Sequence, residues 1–238
     1  MNTESIKNNK KIILDNFNKG KYEKVIKLGN KYLKKNNDFQ VLYALGVANL
    51  TLKDYLEAEK IFRNITLLKP NAENYYIYGN ILKQLKNYNE ASEYFLKAIN
   101  LKSDYSEAYN NLGNTKFRLG FIDEAVKNYK KAIKFNKKNF PAYFNLAHVY
   151  SEEKNFDDLK KVLQDVLKFD ENNTTALNDL GYLNLILGNV DEGRKLFEKV
   201  INIDDKHIRA FKNYFLITKV EKDNKFLKKL ENIDLSKA

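Results

Sequence analysis

The sequence predicts an all-α protein built by stacking antiparallel helix pairs. Two observations predict it. A similar segment recurs with a period of 33 or 34 residues, and within each copy large and small residues keep helical spacing, with no strand-like alternation to compete. Placing Ser106–Asn139 over Thr174–His207 sets Leu112-Gly113 on Leu180-Gly181 and Gly120 on Gly188. It also sets Asp123-Glu124 on Asp191-Glu192 and Tyr129 on Phe197.

The copies follow one another at 6–38, 39–71, 72–105, 106–139, 140–173 and 174–207, and an incomplete one starts at Ile208. The first is atypical, with Ile13 where later copies put a small residue and Gly29 where they put an aromatic one. A terminal repeat has one neighbour fewer, so departures are expected there. In the second copy Asp54 is a candidate N-cap with Glu57 three residues on, Ala58 is the small residue of the second helix and Phe62 the ring that fills the space one turn later. In the third, Tyr75, Tyr78 and Gly79 share the first helix's face, followed by Asn87 with Glu90 as a cap, then Ala91 and Phe95. The fourth repeats this with Tyr109, Leu112 and Gly113, a helix stop at Gly120, then Ala125 and Tyr129. The fifth, 140–173, keeps an acidic pair, Asp157-Asp158, at the start of its second helix, where negative charge favours the helix dipole. The sixth has Gly181, the stop Gly188, Asn189 with Glu192, then Gly193 and Phe197. In the last, Phe215 stands where Gly113 and Gly181 stood, and residues 208–232 read as C-terminal capping helices.

A 34-residue period with a large residue followed by Leu-Gly, then Ala followed four residues later by an aromatic, resembles the tetratricopeptide repeat, and the likeness covers nearly the whole chain. The closing proline common in that family survives only as Pro70. The resemblance implies one domain over residues 1–238, a right-handed superhelical solenoid. Its first helices would line a concave groove that takes an extended peptide or a partner helix.

Composition narrows the function. Cysteine is absent, so disulfides, thiolate metal sites and cysteine nucleophiles are excluded. All nine glycines fall on repeat positions, leaving none for a phosphate-cradling loop. His148 and His207 have no ligand spacing, and the acidic pairs recur where helices begin. The expectation is no catalytic residue, no cofactor, no metal and no small-molecule substrate. No apolar run is long enough for a membrane span or a signal peptide, so a soluble, cytoplasmic protein is expected. The net charge of +11 invites a nucleic-acid reading, but Lys outnumbers Arg 38 to 4, and Arg is the residue suited to bidentate phosphate and base contacts. Nucleic acid is therefore a disfavoured alternative to a protein or peptide partner.

The fifth, sixth and ninth residues of each first helix lie off the expected buried stripe and are the candidate partner-binding positions. They include Tyr43, Tyr76 and Asn80, then Asn110, Asn111 and Asn114, then Phe144, Asn145 and His148, and then Asn178, Asp179 and Tyr182. Asn80, Asn111, Asn114, Asn145 and Asn213 fill five of the fourteen sixth and ninth positions; with 33 Asn in 238 residues, chance supplies about two. This resembles the asparagine ladder in the repeat region of O-linked N-acetylglucosamine transferases, which implies pairing with a peptide backbone. The carboxylate clamp of co-chaperone repeats is not matched, because Thr175 and Asp179 stand where cations are needed. The lysine-rich tail Phe211–Leu235 leaves the repeat and resembles the segment that precedes the sulfotransferase domain in certain bacterial repeat proteins, so a second expectation is a non-catalytic N-terminal repeat region of a larger bacterial enzyme, of sulfotransferase or glycosyltransferase type.

Overall fold

A computed structural model of the chain describes residues 3–218 and 225–231. Every regular element among them is an α-helix. The packing divides into two compact units, Met1–Asn136 and Lys137–Ala238. The first holds α1 (Thr3–Asn18), α2 (Tyr22–Leu33), α3 (Phe39–Thr51), α4 (Tyr55–Leu68), α5 (Ala72–Gln84), α6 (Tyr88–Leu101), α7 (Ser106–Arg118) and α8 (Ile122–Phe135). The second holds α9 (Phe140–Glu152), α10 (Phe156–Phe169), α11 (Thr174–Ile186), α12 (Val190–Ile203), α13 (Ile208–Ile217) and α14 (Lys225–Glu231). The expected tail helix lies partly outside the described residues.

In the first unit each helix packs on the next, and the first helices of successive pairs also meet, α1 on α3 and α5 on α7. The reason is the pairing of small with large. A Cβ added to Gly46, Gly79 or Gly113 would come within 2.9, 2.8 or 2.6 Å of the ring of Phe62, Phe95 or Tyr129. The ring fills the space a side chain would need, and both members are buried. Ala58, Ala91 and Ala125 are fully buried one turn earlier on the second helices. At the atypical N-terminus a Cβ on Gly29 would meet Leu45 only at 3.6 Å, an ordinary contact.

The second unit repeats the arrangement with Gly181 under the ring of Phe197, at 2.7 Å. Gly193 admits the backbone of the neighbouring helix, since a Cβ there would lie 2.9 Å from the Gly181 carbonyl. Leu177, Phe197, Val200, Ile201, Phe211, Tyr214 and Phe226 form its C-terminal core.

The turn inside each pair has one geometry, and half of it was hidden in the sequence. Gly20, Gly120 and Gly188 take left-handed φ as expected, but so do Lys53, Lys86 and Lys154, over the range 56° to 82°. In all six turns the following N–H reaches back to a carbonyl five residues earlier at 2.8–2.9 Å, closing the helix end. That bond is what holds three lysines in a conformation unfavourable to L-residues. The caps need correction too. Asp54 caps α4 through the Glu57 amide, but Asn87 and Asn189 make no such bond, and the Asn189 amide lies 3.5 Å from Asn184 instead. Caps are made by Asp38, Asn71, Asn139, Asn155 and Asn173, and by His207, whose Nδ1 accepts from the Ala210 amide.

Candidate functional site

The first helices carry the candidate residues, and each unit arranges them differently. In the first unit, α5 and α7 approach closely enough for side chains to bond across the repeat. The Asn111 amide donates to Asn80 Oδ1 at 2.7 Å and to the Tyr76 hydroxyl at 3.2 Å, and Lys83 Nζ donates to Asn111 Oδ1 at 3.1 Å. The Tyr76 ring rests on Tyr105 at 4.9 Å and near Phe95 at 6.1 Å, which fixes its hydroxyl. Burial raises the Tyr105 phenol to about 12 and lowers the Lys83 ammonium. Asn114 accepts from the hydroxyl of Tyr129 at 2.8 Å. Tyr43 is half-buried, edge-on to Phe62 at 5.9 Å and stacked near Phe39 at 6.2 Å.

In the second unit, Asn213 on α13 donates to Asn178 on α11 at 3.1 Å, and Asn178 donates to Asp179 at 3.2 Å. Asp179 pairs with Arg209 at 3.3 Å. Burial raises the Asp179 carboxyl above its ordinary value, and Arg209 opposes the shift. Tyr182 stands out at 46% exposure. Phe144 and Asn145 are half-buried on α9, and His148 is exposed, its Nε2 3.5 Å from the Glu152 carboxylate.

The expectation that fifth, sixth and ninth positions avoid burial holds for Tyr182 and His148, holds in part for the half-buried Asn80, Asn114 and Asn145, and fails for four other asparagines. Asn178 is 1% exposed, and Asn110, Asn111 and Asn213 are each 9% exposed. Adjacent first helices sit close enough to cover these short side chains. The structure brings Tyr76, Asn80 and Asn111 together in one network, whereas Tyr43 lies against a different pair of rings. Sequence reasoning missed Lys83, although it sits three residues after Asn80, the spacing that shares a helix face. It also missed the pairing of Asp179 with Arg209, which no local spacing announces. Among the described residues no group of His, Cys, Asp and Glu is placed to hold a metal ion, and no helix is long and apolar enough to cross a membrane.

Repeated helix pairs with a small residue under an aromatic ring define a class of protein, and comparison with known proteins agrees. The family model described as "Tetratricopeptide repeat" matches residues 39–71, 140–173 and 174–207, and the one described as "TPR repeat" matches 79–120 and 113–153. The chain belongs to the tetratricopeptide-repeat family. Its fold resembles a solved MamA structure at 23% identity and a TM-score of 0.62, over 69% of this chain and 97% of that one. It also resembles the C-terminal part of a repeat protein of Cytophaga hutchinsonii at 16% identity and a TM-score of 0.71, over 92% of this chain and 98% of that one. A third is YrrB, described as a TPR protein with an unusual peptide-binding site, at 19% identity and a TM-score of 0.58, over 77% and 96%. No curated protein matches in sequence.

Proposed function

We propose that the protein is a non-enzymatic, cytoplasmic scaffold that binds an extended peptide or a helix of a protein partner along its first helices. The observation that carries this is the bonding of polar side chains across successive first helices, Asn80 to Asn111 and Asn178 to Asn213, beside aromatic rings that keep part of their surface open. Such a network holds polar groups rigid before a partner arrives, which reduces the ordering cost of binding. Hydrogen bonds at about 0.5–1.5 kcal/mol each fall short of the roughly 8 kcal/mol of micromolar affinity, so the rings must contribute. Tyr43, Tyr76, Phe144 and Tyr182 are the anchors assigned to that role, with Asn80, Asn114, Asn145 and His148 as polar contacts, while the buried Asn110, Asn111 and Asn178 support them from beneath. The peptide-binding site named for YrrB supports the reading by analogy of fold.

Selection of a random displayed dodecapeptide library on the full chain tests it. Tyr182→Ala should weaken selected peptides about tenfold with unchanged melting temperature, and Tyr43→Ala should weaken them as much while lowering the melting temperature slightly, because its ring also packs on Phe62. Exposed Lys127→Ala should change nothing. Selected peptides that bind both tyrosine variants as tightly as the parent would move the site elsewhere.

A further inference from the structure

Each first helix needs an acceptor for the N–H groups of its opening turn, and the residue just before it can supply one. Asp38 does so for α3, and Asn71, Asn139 and Asn173 do so for α5, α9 and α11. At α13 the acceptor is an imidazole. His207 Nδ1 takes the Ala210 N–H at 3.1 Å, a donor it shares with the His207 carbonyl at 3.0 Å. An amide does not titrate and a carboxylate is already charged at neutral pH, so among these caps the one on α13 is made by a group that changes charge near pH 6.5.

An accepting nitrogen carries no hydrogen, so the capping ring is neutral and keeps its proton on Nε2. A second proton goes to Nδ1. The ring then aims an N–H at the Ala210 N–H and sets a positive charge at the helix end whose backbone dipoles favour anions. The protonated ring and this cap exclude each other. The charged groups around it pull in both directions. α11 presents Asp179, whose carboxyl a charged His207 holds down and which already pairs with Arg209 at 3.3 Å. Asp204, at the end of α12, accepts the His207 N–H through its carbonyl and the Lys206 amide through its side chain. α14 sends Lys229 to Asn202 near that same end, at 3.2 Å. The two acids favour the proton and the three cations oppose it, but none of them is the acceptor of the Ala210 N–H.

We propose that His207 makes the C-terminal end of the second unit acid-sensitive, its protonation releasing the start of α13 from α12. This goes beyond the binding role of the first helices and does not depend on it. Ala210, Phe211 and Tyr214 are buried on the core that Leu177, Phe197, Val200 and Ile201 supply, so a loosened α13 uncovers the apolar face of α12. The position suits such a device, because an element near the end of a repeat stack has few neighbours and opens locally at small cost. The neutral ring is the one that caps, so its contribution is present above the imidazole range and is lost as the pH falls through it.

The test is hydrogen exchange on the full chain between about pH 8 and about pH 5.5, spanning the imidazole range, with protection corrected for the intrinsic pH dependence of exchange. The reference is α11, capped by Asn173, which does not titrate. In the parent, α13 amides should lose about fivefold in protection relative to α11 as the pH falls, the effect of one lost N-cap. His207→Asn installs the cap that α11 uses and should hold α13 protection level across the range. His207→Ala should show the lower protection at every pH. A level profile in the parent would overturn the proposal. An equal fall in His207→Asn or His207→Ala would overturn it as well, by moving the sensitivity to Asp179 or Asp204.

Discussion

The two units are built from the same repeat, yet they spend their first-helix polar residues in different ways. In the first, Asn111 bonds Asn80, Tyr76 and Lys83, and the network keeps a positive charge with donors to spare. In the second, Asn178 is almost fully enclosed between Asn213 and Asp179, and the nearby charges of Asp179 and Arg209 cancel. The packing that makes the fold is common to both, a glycine under a ring. The polar residues above it are set by which neighbours each unit supplies, so the first network keeps hydrogen-bond donors uncommitted while the second closes on itself.

The largest effect is expected where the two units agree. Gly113→Ala puts a methyl 2.6 Å from the Tyr129 ring, which is itself buried, and 3.2 Å from the Ala125 carbonyl, a backbone atom that cannot swing aside. Overpacking should cost about 1–3 kcal/mol, measured by urea denaturation. Gly29→Ala, with its nearest contact at 3.6 Å, should instead stabilise by roughly 0.5–1 kcal/mol through helix propensity. Hydrogen exchange should place the Gly113→Ala loss in α7, α8 and their neighbours first, because repeats contact mainly adjacent repeats. Equal losses in the two glycine variants would show that the ring and small-residue pairing does not set stability.

The next effect separates the units. Asn178→Ala leaves the buried Asn213 amide without its acceptor, which should cost about 1–3 kcal/mol. Asn111→Ala removes three bonds, but Lys83 and Tyr76 are only half-buried and water can replace the lost partner. Its net cost should be near zero to about 1 kcal/mol, since alanine is the better helix former. Melting temperatures of the two variants should therefore differ in that order. A larger loss for Asn111→Ala would make the donor-rich network a structural brace.

That difference also marks how far the sequence could be read. The fold was legible because its signals are local: Gly79 and Phe95, or Gly113 and Tyr129, recur at fixed spacing in each repeat, and helical periodicity follows from them. The turns were half legible, since a glycine announces left-handed backbone and Lys53, Lys86 and Lys154 do not. The site was legible as a set of positions and not as a set of bonds. Whether an asparagine is exposed depends on a residue about one repeat away, as with Asn111 and Asn80 or Asn213 and Asn178, and no rule of spacing supplies that distance. Lys83 lay within reach of the argument, one turn past the last position considered.

The smallest expected effect is on pH dependence, where the units should move in opposite directions. Asp38 in the first unit caps α3 through the Gln40 and Val41 amides and pairs with Lys10 at 2.8 Å. Burial pushes its carboxyl up, as does no other contact, but Lys10 and the two amides together outweigh burial and hold it below the ordinary range. The other titratable group facing it is Tyr32, whose own phenol is raised by burial and by Asp38. A depressed carboxyl stabilises the folded state above the unfolded value of about 4, and that contribution is lost as the pH falls through the folded value. Asp179 in the second unit is the reverse. Burial raises it, with Arg209, Asn178 and His207 opposing, so the folded state holds the proton more tightly than the unfolded one. Its contribution is present below about pH 4 and is lost as the pH rises through the raised value. Urea denaturation followed by residue-resolved hydrogen exchange between about pH 3 and 6 separates the two. Asp38→Asn should become more destabilising as the pH rises, and Asp179→Asn should become less so. Parallel trends in both variants would mean that Arg209 neutralises Asp179 as fully as Lys10 neutralises Asp38, and that the second unit's acid is not held against its desolvation after all.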